Sequence, residues 1–179
     1  MFIARRLALR SSRLSQRRYF SEQQPDPNMI QEMPEYHEAL ELASEKKFDE
    51  SLAKLQQTLD QIESQVGSTS PFHLFLYQRM ASIYTMKHDL NKVEECLSKC
   101  VTVAEDSVTK GNKGYNFRLN STQNVWLWQD NLLKFYIDHN IDKAIEYGQD
   151  LLEDKNLVEG LNAKQKSDLT FYLGTSYVL

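Results

Sequence analysis

Apolar residues recur along this chain at three- and four-residue spacing, the period of one face of an α-helix. In the run from Leu169 to Leu179, Gly174 stands three residues before Tyr177, setting a small residue and a large aromatic on one helical face. The same small-then-bulky pair occurs upstream as Leu132 with Phe135, Ala81 with Tyr84 and Ala39 with Leu42, at steps of 42, 51 and 42 residues. Nine residues beyond each upstream small site comes a bulky apolar residue: Phe48, Leu90 and Ile141. Three further on stand Ser51, Val93 and Ala144, then Leu55, Leu97 and Gly148 after four more, and finally Thr58, Cys100 and Leu151. One unit is thus written three times, with a fourth copy cut off. Each copy predicts two amphipathic helices joined by a polar turn: Lys46-Lys47, Lys87-His88-Asp89 and Asp138-His139-Asn140.

Local signals place the helix ends. Pro34 suits a first helical turn, where its missing N–H costs nothing. The second helix runs from Phe48 to about Val66, with Leu52, Leu55, Leu59 and Ile62 on one stripe and Gly67 as its stop. Ser70-Pro71 reads as a cap and first-turn proline opening a third helix to Lys87. A fourth spans Leu90–Ser107 behind Asp89 as cap. The irregular stretch 108–120, with Gly111, Gly114, Lys110, Lys113 and Arg118, accounts for the longer step and is expected to be an exposed loop. Helices from Ser121 to Asp138 and from Ile141 to Glu153 follow, and Asn162-Ala163-Lys164-Gln165 resembles a capping box opening a seventh.

These residues resemble the tetratricopeptide (TPR) family. The fourth copy carries the family's L-G-x-x-Y at Leu173, Gly174 and Tyr177. The third has Trp128 four residues before its small site and Ala144 at a favoured small position. It departs from the pattern at Leu132, large where a small residue is usual, and at Gly148, small where a large one is usual. A 42-residue step, with Gly67-Ser68-Thr69-Ser70-Pro71 between the first two copies, is similar to kinesin-light-chain-type repeats. The resemblance covers 33–179 and implies an all-α, right-handed α-solenoid of antiparallel helix pairs, about three and a half repeats long. The fourth copy stops two residues after Tyr177. Its last helix is read either as a terminal cap or as a truncation, and apolar Val178 and Leu179 favour truncation.

Residues 1–20 differ in composition from the rest. Arg5, Arg6, Arg10, Arg13, Arg17 and Arg18 alternate with Ser11, Ser12 and Ser15, and no acid precedes Glu22. An Arg-rich, Ser-bearing, acid-free leader is the signature of a mitochondrial transit peptide, with Ser21 the expected mature start. Residues 21–32, with two prolines, read as a flexible linker. The whole chain has 21 basic and 25 acidic residues, a formal charge of −4; loss of the six leader arginines leaves 15 basic residues and a charge of −10. Such a domain repels phosphate backbones, which argues against nucleic acid as a partner. No run approaches the length of a membrane span; peripheral contact with the inner membrane is compatible with the composition.

Candidate chemistry is sparse. Cys96 and Cys100 lie on adjacent turns of one face, a spacing open to a redox pair or half of a twin CxxxC motif. No second CxxxC occurs, and Cys100 falls on a small buried position of the repeat, so core packing is the reading. His37, His73, His88 and His139 are scattered without a ligand cluster. No cofactor, metal site or catalytic constellation is nominated, and the chain is read as a non-enzyme.

By the resemblance, the first helix of each pair lines a concave groove whose exposed positions choose the ligand. Transferred by spacing, these are Met33, Tyr36, Leu40 and Ala43, then Phe75, Gln78, Ser82 and Thr85, then Trp126, Gln129, Leu133 and Tyr136. Aromatic and apolar groups with amide handles suit a peptide or helix of a client protein. The Lys/Asn/Arg clamp of chaperone-binding TPRs is not matched. Trp126 and Trp128, two apart on a helix, cannot share a face; Trp126 is read as the groove anchor and Trp128 as core. Kinesin-light-chain-type repeats behind a transit peptide also resemble mitochondrial TPR proteins assisting respiratory complex III maturation. The resemblance therefore implies an adaptor or assembly factor at the matrix face of the inner membrane. The alternative is a stoichiometric accessory subunit of a respiratory complex or the mitochondrial ribosome.

Overall fold

The computed structural model describes residues 33–67, 70–109 and 121–177. The expected leader (1–20), linker (21–32) and most of the 108–120 loop lie outside them. Among the described residues every regular element is an α-helix, as the periodicity predicts. The described residues divide between Phe72 and His73 into two compact units.

In the first unit, α1 (Pro34–Ser44) and α2 (Phe48–Val66) form an antiparallel pair. Pro34 stands in the first turn of α1, as expected. Ala39 is fully buried, and the buried hydroxyl of Ser51 donates to its carbonyl at 2.6 Å. That contact is the small-on-small crossing the repeat demands. Leu52, Leu55, Leu59 and Ile62 form the buried stripe of α2, and Thr58 joins them by donating its hydroxyl to the Lys54 carbonyl at 2.9 Å. Lys54 and Glu38 bridge the two helices at 2.8 Å. The turn closes by two backbone bonds, Lys46 N–H to Ala43 and Lys47 N–H to Leu42, around Lys46 at φ 62°. This is a Schellman closure with lysine at the position glycine favours. Gly67, at φ 80°, ends α2, and the Ser70 hydroxyl accepts from Phe72 N–H at 3.4 Å ahead of the next helix.

The second unit comprises α3 (Pro71–Met86) from His73 onward, α4 (Leu90–Thr109), α5 (Ser121–His139), α6 (Ile141–Glu153), a short α7 (Lys155–Gly160) and α8 (Ala163–Ser176). Helix α4 runs two residues further than the sequence suggests, which shortens the expected loop. The α3–α4 turn repeats the Schellman pattern: His88 N–H to Thr85, Asp89 N–H to Tyr84, with His88 at φ 57°. Asp89 then caps α4 through Lys92 N–H at 3.2 Å. The α5–α6 turn instead uses Asn140 as an N-cap for Lys143 N–H at 3.1 Å. Val93 and Cys100 of α4, and Ala144, Gly148 and Leu151 of α6, are buried at the positions the repeat assigns. Successive helices α4, α5, α6 and α8 pack in chain order, giving a TPR-like helical repeat.

Helix α7 has no counterpart in the sequence reading. Asp154 ends α6 and caps α7 in one step, its carboxylate accepting from Leu157 N–H at 3.1 Å. Leu157 and Leu161 then seal the core formed by Trp126, Leu132, Leu133, Leu169 and Leu173. The capping box at Asn162 and Gln165 is present in both directions, each bond 2.9 Å long.

The L-G-x-x-Y face of α8 differs from its upstream copies. Gly174 and Tyr177 face solvent, and a Cβ at Gly174 would touch nothing within 4 Å. Helix α8 is held by the adjacent stripe, Leu169, Leu173 and Ser176. Leu173 explains why Gly148 breaks the family pattern. A Cβ on Gly148 would stand 2.6 Å from Leu173 Cδ2, so the glycine is a notch that receives this leucine. Gly148→Ala is therefore expected to destabilise the protein by about 1–3 kcal/mol through overpacking. Gly174→Ala, on an open helix surface, should stabilise it by about 0.5–1 kcal/mol. Urea denaturation of both variants checks this; equal effects would contradict the notch.

Candidate interaction surface

Helix α3 presents two unlike faces. Leu74, Leu76, Met80, Ala81 and Ile83 are buried, and Leu74 packs with Cys100 and Val103 of α4. On the other side Phe75 is 40% exposed and Met86 51%, with Gln78, Ser82 and Thr85 in the open between them. The Ser82 and Thr85 hydroxyls donate to the Gln78 and Ala81 carbonyls at 3.0 and 2.9 Å, so both keep lone pairs for an incoming donor. This stripe is exposed, as the transfer by spacing expects.

The other nominated positions are placed differently. In the first unit Tyr36 is buried, and Met33, Leu40 and Ala43 are half-buried. In α5 all four nominated residues leave the surface: Trp126 is 4% exposed, Gln129 5%, Leu133 0% and Tyr136 9%. Trp126 is thus a core residue, not the exposed anchor, and Trp128 flanks the core half-buried against two apolar clusters. The physical reason is that α5 lies between α4 and α6, so its nominated stripe meets helices on both sides. Gln129 donates to Glu105 of α4 at 3.1 Å, and Tyr136 donates to Glu94 of α4 at 3.0 Å. The Tyr136 ring meets that of Tyr147 on α6 edge-on at 5.6 Å.

This polar ladder is invisible to the repeat pattern. Burial, followed by the bond to Glu94, pushes the Tyr136 phenol up to about 12. Burial also raises Tyr147, with Glu105 adding to the effect. Lys143 of α6 completes the upper end, 2.6 Å from Glu94 and 5.6 Å from the Tyr136 ring centre. A search of sequence alone could have noticed that Glu94 and Glu105 share a stripe of α4, and that Lys143 and Tyr147 share one of α6. It had no means of pairing the two. Elsewhere on α4, Glu95 is held down to about 2 by the ammonium groups of Lys92 and Lys99, each 2.7 Å away.

The cysteines behave as packing residues. Both are free and buried, and Cys100 directs its thiol at the Leu74 carbonyl, 3.8 Å away. Burial pushes Cys96 up to about 11 and Cys100 up to about 12. Among the described residues no three metal-ligating side chains gather, and no helix is long and apolar enough to cross a membrane.

No protein-family profile matches the chain, and no curated protein matches it. Among solved structures, the crystal structure of BtubC (BKLC) from P. vanneervenii matches with a TM-score of 0.53 and 17% identity. The match covers 97% of this chain and 65% of that one, so this chain spans about two thirds of that protein's length. At this identity the likeness concerns the fold, and it agrees with the TPR-like helical repeat built above.

Two outcomes follow from this geometry. Trp126→Ala should cost about 3–5 kcal/mol of stability as a buried-aromatic truncation, whereas Phe75→Ala should leave the melting temperature nearly unchanged. Calorimetry of the two variants separates core from surface. At pH 8 both thiols should resist an aromatic disulfide reagent in the folded protein and react promptly in urea, because a raised pKa leaves almost no thiolate. Fast labelling of the folded chain would show that they are reactive.

Proposed function

We propose that this protein is a non-enzymatic, TPR-like protein–protein interaction module, delivered to mitochondria and acting there as an adaptor or assembly factor for an inner-membrane respiratory complex. The observation that carries the interaction reading is the exposed Phe75–Gln78–Ser82 stripe on α3, backed by a buried face. An exposed aromatic followed one turn on by an amide and a hydroxyl offers an apolar anchor with hydrogen-bonding groups beside it, as a docking peptide or helix requires. The organelle is argued from the leader alone, from its six arginines and absent acids. Complex III is the client suggested by the sequence resemblance. A net charge of −10 after leader removal favours a basic or neutral client over nucleic acid. A stoichiometric subunit of a respiratory complex or the mitochondrial ribosome would use the same surface.

Import and native-gel analysis test the reading together. Deleting residues 1–20 should keep the protein out of mitochondria, and the imported form should begin at Ser21. The imported protein should co-migrate with assembly intermediates of a respiratory complex, and Phe75→Ala combined with Gln78→Ala should abolish that co-migration. Co-migration with the mature complex at fixed stoichiometry would select the subunit reading. Leader-independent localisation outside mitochondria would overturn the proposal.

A further inference from the structure

The small-then-bulky pair of the repeat is closed in its first three copies and open in the fourth. Ala39 is 0% exposed, Ala81 6% and Leu132 4%. In the first copy the following helix crosses at Ala39, where the Ser51 hydroxyl meets its carbonyl at 2.6 Å. Gly174 of α8 stands at the equivalent position and faces solvent, with nothing within 4 Å of a Cβ built there. Phe171 and Tyr177, three residues to either side on the same face, are 66% and 61% exposed. No other large apolar side chain among the described residues is as open.

This face is not an ordinary helix exterior. A helix that ends a stack of repeats keeps a polar outer side; α8 turns two aromatic rings outward. Glycine weakens a helix relative to alanine, and no contact among the described residues requires one at Gly174, in contrast to Gly148 under Leu173. Tyr177 is also tethered: Gln149 of α6 donates its side-chain amide to the phenol oxygen. That bond ties the edge of the face to α6. Glu146 and Glu153 lie about one turn to either side of Gln149 on one stripe of α6. Both are exposed, and neither forms an ion pair among the described residues, so the border is negative.

We propose that Phe171, Gly174 and Tyr177 of α8 receive an amphipathic helix of a partner polypeptide, with a small residue at its crossing point and basic residues on the flank facing Glu146 and Glu153. The helical form and the small residue follow from what covers the same position in the first copy, α2 with Ser51. The basic flank follows from the α6 border. The same border disfavours a second copy of this chain. Its α2 is acidic, with Asp49, Glu50, Asp60 and Glu63 against Lys54, and an α8-to-α8 contact sets two negative borders together. The α3 stripe takes no part in this site.

The full chain is titrated with a fluorescein-labelled, lactam-stapled peptide copying α2 (Phe48–Val66) but carrying Asp60→Lys and Glu63→Lys, and binding is followed by anisotropy. Saturable, salt-sensitive binding is expected, severalfold tighter than that of the unaltered α2 peptide. Ser51→Leu in the peptide, or Gly174→Leu in the protein, should weaken it by about tenfold or more by placing bulk at the crossing. Calorimetry should show Gly174→Leu melting no lower than the parent. Phe171→Ala should weaken binding about tenfold, and Glu146→Gln with Glu153→Gln should erase the preference for the lysine peptide. Phe75→Ala with Gln78→Ala should leave binding unchanged, so this site and the α3 surface fail independently; a loss there would place the peptide on α3 and overturn the assignment. Absence of saturable binding, or equal binding by Gly174→Leu, would overturn the proposal. So would a dimer in sedimentation velocity that Gly174→Leu dissolves, because a second copy would then be the occupant.

Discussion

The 2.6 Å hydrogen bond from the buried Ser51 hydroxyl to the Ala39 carbonyl fixes how near α2 lies to α1. A helix pair can close this far only where neither partner carries bulk at the crossing. The chain meets that condition with Ala39, Ala81, Ser51 and Ala144, while Leu132 and Val93 depart from it. Cys100 at 0% exposure and Ala144 at 0% serve in α4 and α6 the role that Ser51 and Thr58 serve in α2. Once these sites close, the leucine stripes on either side are buried as a consequence. Close packing of this kind supplies the uniqueness of the fold as well as part of its stability.

Most of the architecture was legible because period and punctuation agree. The helix boundaries at Pro34, Phe48, Leu90, Ile141 and Glu153 coincide with the sequence reading, as do the caps at Asp89 and Asn162. Helix α7 escaped because six residues are too few to show a period, and its only signal, Asp154, ends one helix while starting the next. Gly148 looked like a defect in the pattern until Leu173, 25 residues later in the chain, was seen to fill it. A one-dimensional pattern cannot register a contact made between different pairs.

The exposure of the nominated positions was legible on α3 and illegible on α5, and the same spacing rule produced both results. That rule states which side of a first helix is free of its own partner; it does not state what else lies there. On α3 the side is open, so Phe75, Gln78 and Ser82 remain exposed. On α5 the same side carries Trp126, Gln129 and Tyr136 into contact with other helices, where the polar members find Glu94 and Glu105. The family pattern is a description of covalent spacing, and interaction capacity depends on what the spacing is packed against.

Lys46 and His88 hold left-handed backbone conformations at the tips of two pairs, on side chains that remain exposed. Residues with a Cβ are disfavoured there, so each hairpin carries a small local conflict at its turn. The two tips are therefore adjustable without disturbing any packed atom. Drift toward glycine or asparagine would lengthen the lifetime of a closed pair, and drift toward a β-branched residue would shorten it. Each hairpin thus carries its own setting for how readily it breathes.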